Sequence, residues 1–361
     1  MPASALVAYC RAGFEDEAAA DLRRIAAHTH ASLEIAAVRG SGFVVARGDA
    51  VAPSAWDRAT DAAPPVFARG VFTGTGPVAL LPTPAATGRA DRVTPLLAAI
   101  ETVAATDARP WRSVWIEYPD TNEGKALSTL ARALTARVEG ELRVQGHLAD
   151  SAARRLHVFL TDGATAFVGT SAARPHDWPL GIPRLHMPRG APSRSTLKLA
   201  EAFSTLLDGQ DAALLRPGLR AVDLGAAPGG WTWQLVQRGL RVVAVDNGPL
   251  KGAVATDPLV THLREDGFHW RPRRPVDWLV CDIVEQPIRI ADLVAHWIAD
   301  GAARRAIFNL KLPMKRRYDE VQRCAQRIDE VLQRAGTRYT LRVKQLYHDR
   351  EEVTAYLARQ D

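Results

Sequence analysis

Residues 221–231 read AVDLGAAPGGW, the most specific stretch of the 361-residue chain. An apolar run closes on Asp223 and Leu224, a turn of Gly225, Ala226, Ala227, Pro228, Gly229 and Gly230 follows, and a helical pattern begins at Trp231. Glycines let such a turn approach a ligand closely, and the start of a helix offers unpaired N–H groups. At the carboxyl end of the first strand of an open α/β sheet, the usual occupant is a nucleotide-like cofactor. The spacing is not G-x-G-x-x-G, which excludes a dinucleotide fingerprint, and no Lys-Ser/Thr follows, which excludes a Walker loop. Asp246 ends the next apolar run, 21 residues after Gly225, where an acid can accept hydrogen bonds from both ribose hydroxyls of a nucleoside-bearing cofactor. Lysine usage adds a second signal: of 46 basic residues only Lys125, Lys198, Lys251, Lys311, Lys315 and Lys344 are lysine. Lysine can lose its proton when desolvated and arginine cannot, so a lysine kept in an arginine-rich chain is a candidate base.

The elements around these residues alternate regularly from Ser195 onward. A helix is predicted over Thr196 to Leu207, strands over Arg220 to Leu224 and Arg241 to Val245, and a helix over Trp231 to Gln237. Short strand Val260 to Leu263 leads to Asp266. Strand Val276 to Cys281 ends at Asp282, helix Asp292 to Ala299 follows, and strand Arg305 to Leu310 ends at Lys311. A long helix over Arg317 to Arg334 and strands over Tyr339 to Leu346 and Val353 to Leu357 complete the pattern. Such alternation implies a doubly wound, mostly parallel α/β sheet with helices on both faces and an antiparallel last strand. Polar residues recur at the strand ends, where this architecture binds ligands.

The part before Ser195 reads as α+β. Ala5 to Tyr9, a helix over Phe14 to Ala27, and paired strands at Leu33 to Val38 and Gly42 to Ala46 suggest a small ferredoxin-like unit, residues 1–64. Strands are expected at Val66 to Phe72, Val78 to Leu81 and Trp111 to Tyr118, with helices at Val93 to Val103 and Lys125 to Val138. Arg155 to Leu160 and Ala166 to Gly169 close the unit as strands around an Asp162-Gly163 turn. The order helix, strand, helix, strand, strand resembles a THUMP domain, an RNA-binding module, over about residues 65–172. Residues 173–194 hold Pro175, Pro179, Pro183, Pro188 and Pro192 and read as a linker to the catalytic domain, 195–361.

Composition narrows the class. No apolar run approaches a membrane span, and MPASALVAYC lacks the basic start and long apolar core of a signal peptide. Cys10, Cys281 and Cys324 are three scattered cysteines, which argues against a disulfide framework or zinc site and fits a reducing cytoplasm. Residues 1–180 carry 18 Lys+Arg against 19 Asp+Glu, and residues 181–361 carry 28 against 21, so the whole net charge of +6 arises in the second half. A basic half is what an enzyme acting on nucleic acid needs, although an inert alkaline surface gives the same count.

The sequence D-L-G-x-x-P-G-G-W resembles motif I of FtsJ-like RNA ribose 2′-O-methyltransferases, which use S-adenosylmethionine. The same family carries a Lys-Asp-Lys-Glu tetrad, and four contexts here are similar: Lys198 in SRSTLKL, Asp282 after WLVC, Lys311 after IFNL, and Glu352 in DREEV. The resemblance implies a Rossmann-like class I methyltransferase domain, with Lys311 as general base, Lys198 as the neighbouring cation, and Asp282 and Glu352 holding both. A lysine serves as base if burial and a nearby cation lower its pKa. It further implies Gly225, Ala227, Pro228, Gly229, Gly230, Asp246 and Asp282 as cofactor contacts, Asp266 toward the adenine, and Ser195 toward the methionine end. Over the whole chain, APSRSTLKL, AVDLGAAPGGWTWQLV, FNLKLPMKRRY and LYHDREEV resemble the ribosomal RNA large subunit methyltransferase M family. That implies methylation of a cytidine 2′-hydroxyl in naked or precursor 23S rRNA by a cytoplasmic enzyme, favoured as a monomer, with no metal. Ala227 is a departure, since related chains often carry Cys there. Two alternatives stay open: a methyltransferase acting on another RNA or on a base, and an inactive RNA-binding homologue.

Overall fold

The computed structural model describes residues 4–49, 51–81, 91–107, 109–174 and 177–360. The chain divides into two compact units, Met1–Ile182 and Pro183–Asp361.

The first unit is built on one seven-stranded sheet in the order β2-β3-β1-β4-β7-β6-β5. Its elements are β1 (Ser4–Tyr9), α1 (Glu15–Ala27), β2 (Leu33–Ala37), β3 (Phe43–Gly48), α2 (Pro53–Ala62), β4 (Gly70–Ala79) and α3 (Val93–Ala104). They continue with β5 (Val114–Glu117), a single turn α4 (Asn122–Lys125), α5 (Ser128–Val144), β6 (Arg154–Leu160) and β7 (Thr165–Ala172). Among the described strands of this sheet, only β5 and β6 pair in parallel. The stretches read as ferredoxin-like and THUMP-like therefore share a sheet, joined where β1 and β4 pair and β4 and β7 pair. Leu22, Ile25 and Trp56 pack on one part of it, and Leu96, Ile100 and Val138 on another.

Several expectations are corrected here. Val66 to Phe72 and Val78 to Leu81 are not two strands: the ladder runs through β4 with a shift of register between Thr75 and Val78. Pro77 has no N–H to contribute, and the bulge absorbs the mismatch that split the apolar pattern. Val66, Phe67 and Ala68 instead donate their N–H groups to the fully buried Asp21 carboxylate. Helix α2 was not anticipated, because only Trp56 and Ala59 on it are buried. Of the stretch read as a linker, Leu180 and Ile182 sit in the apolar core of the first unit, and Leu180 N–H donates to Glu117. Pro175 of that stretch, and Met1 to Ala3 of the N-terminal reading, lie outside the described residues.

The second unit contains α6 (Thr196–Leu206), a short α7 (Asp211–Leu214), β8 (Arg220–Leu224), α8 (Gly230–Val236), β9 (Arg241–Val245), β10 (Val260–Leu263) and β11 (Val276–Cys281). After them come α9 (Pro287–Ala299), β12 (Ala303–Lys311), α10 (Arg317–Arg334), β13 (Tyr339–Lys344) and β14 (Glu352–Arg359). The sheet order is β10-β9-β8-β11-β12-β14-β13. The first five strands are parallel, while β14 runs antiparallel to both β12 and β13. Fully buried Leu279, Val280, Ile307 and Phe308 explain the unbroken apolar runs, since helices cover both faces. Helix α9 starts five residues earlier than expected, with Pro287 supplying the fixed φ of a first turn. The chain leaves β8 outward to β9 and β10 and returns on the other side at β11, so the crevice of the fold opens beyond the ends of β8 and β11.

Candidate active site

Asp282 follows β11 immediately, and its N–H donates to the Leu224 carbonyl at 3.2 Å, closing the end of β11 onto that of β8. Lys311 is the last residue of β12. Because β14 runs the other way, its first residue, Glu352, stands directly opposite Lys311 in the ladder. Glu352 is thus within the strand that had been expected to start after it. Lys198 reaches the same place from the first turn of α6.

The four side chains close a ring of alternating charge. Lys311 Nζ donates to Asp282 Oδ1 at 2.7 Å and to Glu352 Oε2. Lys198 Nζ pairs with Glu352 Oε1 and lies 3.7 Å from Asp282 Oδ2. Glu352 is 7% exposed and Lys311 25%, so the ring is open to solvent from the lysine side. Removing one member of a partly buried ion pair leaves its partner uncompensated, so the members hold one another in place.

The protonation of Lys311 differs from expectation. Burial does act to lower its pKa, but the Asp282 and Glu352 carboxylates, through charge and hydrogen bonds, raise it more, and the balance lies above the ordinary lysine value. The expectation set Asp282 and Glu352 beside both lysines but weighed only burial and the second cation on the lysine pKa, and the two carboxylates outweigh them. In this structure Lys311 is a cation.

The glycine turn lies beside this ring. Gly229 has φ +110°, and a Cβ there would stand 2.6 Å from Val254. A Cβ on Gly230 would collide with the hydroxyls of Ser195 and Ser193, which lie 2.7 Å apart. Ser195 is therefore packed against the start of α8. Asp246 Oδ2 accepts from Ala227 N–H at 2.9 Å and Oδ1 from Gly248 N–H at 2.7 Å. Each oxygen keeps a lone pair, so the acid can still accept from a ribose. Asp266 is 55% exposed, and hydrogen bonds from Phe268 N–H and His269 hold its carboxyl below the ordinary range. A Cβ on the adjacent Gly267 would stand 3.1 Å from Ile283 and 3.5 Å from Leu224, which sets Asp266 near the ends of β8 and β11. Close backbone, a serine hydroxyl and an acid with free lone pairs form a donor set suited to a nucleoside cofactor bearing an amino acid. Among the described residues, no group of three or more His, Cys, Asp or Glu is placed to hold a metal ion, and no helix is long and apolar enough to cross a membrane.

Sequence reasoning assigned no role to several buried polar groups at the site. Asp223 is fully buried; its Oδ2 accepts from Thr232 Oγ1 at 2.6 Å, and burial pushes its pKa up to about 7. Glu201, on α6, accepts from the N–H groups of Tyr347 and His348 and fixes the loop before β14. Asn309, Asp349 and Thr354 are fully buried behind Asp282. A signal was present for two of them: Glu201 interrupts the apolar face of KLAEAF and Asn309 that of IFNLK.

Known proteins match this chain along nearly its whole length. Family models match residues 3–72 (RlmM ferredoxin-like domain), 91–172 (Ribosomal RNA large subunit methyltransferase M, N-terminal) and 191–332 (FtsJ-like methyltransferase). Ribosomal RNA large subunit methyltransferase M from Laribacter hongkongensis is 49% identical over 353 residues, 97% of this chain and 95% of that one. The proteins of the same name from Methylococcus capsulatus and Xanthomonas oryzae pv. oryzae are 49% and 43% identical, covering 98% and 99% of this chain and the same shares of their own. With a methyltransferase fold, a glycine turn beside a two-lysine, two-carboxylate ring, and this identity along nearly its whole length, the chain belongs to the ribosomal RNA large subunit methyltransferase M family.

Proposed function

We propose that the protein methylates the ribose 2′-hydroxyl of a cytidine in 23S rRNA, with S-adenosylmethionine as donor and Lys311 as the base. The observation that carries this reading is the closed ring of Lys198, Asp282, Lys311 and Glu352 beside the glycine turn. S-adenosylmethionine supplies a methyl group on cationic sulfur, ready for in-line displacement. Asp246 would accept from its ribose hydroxyls, Asp266 would face the adenine, Ser195 the methionine end, and the backbone of Gly225 and Ala227 to Gly230 would line it. Lys311 Nζ takes the 2′-hydroxyl proton from its uncharged fraction, which its carboxylate partners keep small. Lys198 orients the hydroxyl, and Asp282 and Glu352 hold both ammonium groups. Much of the rate then comes from positioning.

RNA access is supported by what lies past the strand ends. Val284 and Met314 are 84% and 91% exposed, and the exposed cations Lys315 and Arg316 follow. Exposed cations there can meet the phosphates of a bound RNA. Residues 1–172, with no basic excess and none of the cofactor motif, would select the RNA structure, and residues 195–361 would catalyse. The reading takes the protein as a cytoplasmic monomer acting on naked or precursor rRNA.

Incubation of the enzyme with 23S rRNA transcript and methyl-labelled S-adenosylmethionine, followed by digestion to nucleosides, tests this. Label in 2′-O-methylcytidine is the expected result. Label in a base-methylated nucleoside, or no label while the wild-type enzyme binds cofactor, would overturn it.

A further inference from the structure

Asp282 has a third partner besides the two lysines. Asn309 Nδ2 donates to Asp282 Oδ1 at 2.9 Å. On the far side of that amide, Thr354 Oγ1 lies 2.8 Å from Asn309 Oδ1, and 3.0 and 3.2 Å from the two carboxyl oxygens of Asp349. Asn309, Thr354 and Asp349 are all fully buried, so water does not complete these bonds from bulk.

Counting protons gives the direction of every bond. A carboxylate held between two ammonium groups only accepts, so Asn309 must turn its NH₂ toward Asp282 and its carbonyl oxygen toward Thr354. That oxygen also only accepts, so the single hydroxyl proton of Thr354 points to Asn309. None is left for Asp349. The short oxygen–oxygen contacts between Thr354 and Asp349 are then a hydrogen bond only if Asp349 carries the proton. Burial and the nearby Glu352 carboxylate, with Glu201, push Asp349 well above the ordinary carboxyl range, against the Leu346 N–H and Lys198, which pull the other way. Oδ2, 3.0 Å from Thr354 Oγ1, accepts from Leu346 N–H at 3.0 Å, as the carbonyl oxygen of a neutral carboxyl can, which leaves Oδ1, 3.2 Å from Thr354 Oγ1, to carry the proton.

We propose that protonated Asp349, Thr354 and Asn309 form a one-way hydrogen-bond relay that fixes the Asp282 carboxylate and, through it, Lys311. The relay rests on the reading of Lys311 as the base. Its members are positioning residues that touch neither substrate nor cofactor. A neutral relay orients Asp282 without adding a third anion, which would bind the Lys311 proton still more tightly.

Variants of the full-length enzyme test it. Thr354→Val has nearly the same shape but neither donates nor accepts; kcat should fall about tenfold, with the KM for RNA and cofactor Kd unchanged. Thr354→Ser and Asp349→Asn keep a donor at each step and should retain most of kcat. Wild-type kcat in folded Thr354→Val, or loss in Asp349→Asn as deep as in Asp349→Ala, would overturn the relay. Lys311→Ala separates the two claims: activity in that variant defeats the base assignment, whereas its inactivity beside an unimpaired Thr354→Val defeats the relay alone. Should Thr354→Val not fold, the infrared difference between wild type and Asp349→Asn decides. A protonated carboxyl band lost in the variant is expected, and loss of carboxylate bands only would show Asp349 ionised and end the proposal.

Discussion

Lys311 and Glu352 face one another in register across the antiparallel β12–β14 pair, the last residue of one strand against the first of the other. This places a carboxylate against the candidate base by backbone pairing, independent of any loop. The parallel neighbour β11 brings its own carboxyl end to the same place, and Asp282, one residue past it, supplies the second carboxylate. The antiparallel final strand thus adds a carboxylate from its amino end to the one that follows β11, and the base stands between them.

Glu352 also sets the pH at which Lys311 can act. The Glu352 and Asp282 carboxylates raise the lysine above its ordinary 10.5. A base must be uncharged, so kcat of the wild type should climb with pH, about tenfold per unit, without levelling off below the ordinary lysine range. Glu352→Gln removes one raising charge, so its profile should level off at lower pH. Coincident profiles for the two enzymes would mean that Lys311 is not the titrating group.

How much of this was legible in sequence follows from how local each determinant is. Strands β8, β9, β10 and β11 begin and end as expected, because buried parallel strands are continuous apolar runs closed by polar residues. Lys198, Asp282, Lys311 and Glu352 were found through their contexts, and the structure brings them together. Their effect on one another was not legible: the rise in the Lys311 pKa depends on two carboxylates distant in sequence. Asp349 and Thr354 were missed because they sit in a loop and a strand whose local pattern looks ordinary. Beta4 was split in two because a bulge at Gly76-Pro77 leaves no periodicity to follow.

Asp246 joins two duties, since it binds the N–H groups of Ala227 and Gly248 and is placed to accept from a ribose. Asp246→Ala should weaken S-adenosylmethionine binding by about 1.5–3 kcal/mol, the range for a charged hydrogen bond. Calorimetry on the folded variant reads this directly, and wild-type affinity would remove Asp246 from the cofactor site.

Asp223 should couple stability to pH in an unusual sense. Burial raises its folded pKa from 3.8 to about 7, while Thr232 Oγ1 opposes the shift. The folded state therefore binds this proton more tightly than the unfolded chain. Its contribution to stability is full below the unfolded value and is lost as pH rises toward about 7, by about 4 kcal/mol at most. Asp223→Asn, neutral at every pH, should gain in Tm relative to wild type as pH is raised from about 5 to about 8. A Tm difference that stays constant over that interval would show that Asp223 is ionised throughout.

Lys311→Arg isolates proton transfer from charge. Arginine keeps a cation between Asp282 and Glu352, and its planar fork can still bond to carboxylates, so the ring of charge survives. Its pKa exceeds about 12, so it cannot receive the hydroxyl proton. Transfer should fall to background while cofactor and RNA affinities stay close to wild type. Lys198→Arg should be milder, because orienting a hydroxyl needs a donor and no loss of a proton. Single-turnover rates beside equilibrium binding distinguish the two variants. Near-wild-type turnover by Lys311→Arg would move the base elsewhere, with Asp282 next in line, since its Oδ1 already lies 2.7 Å from the Lys311 ammonium.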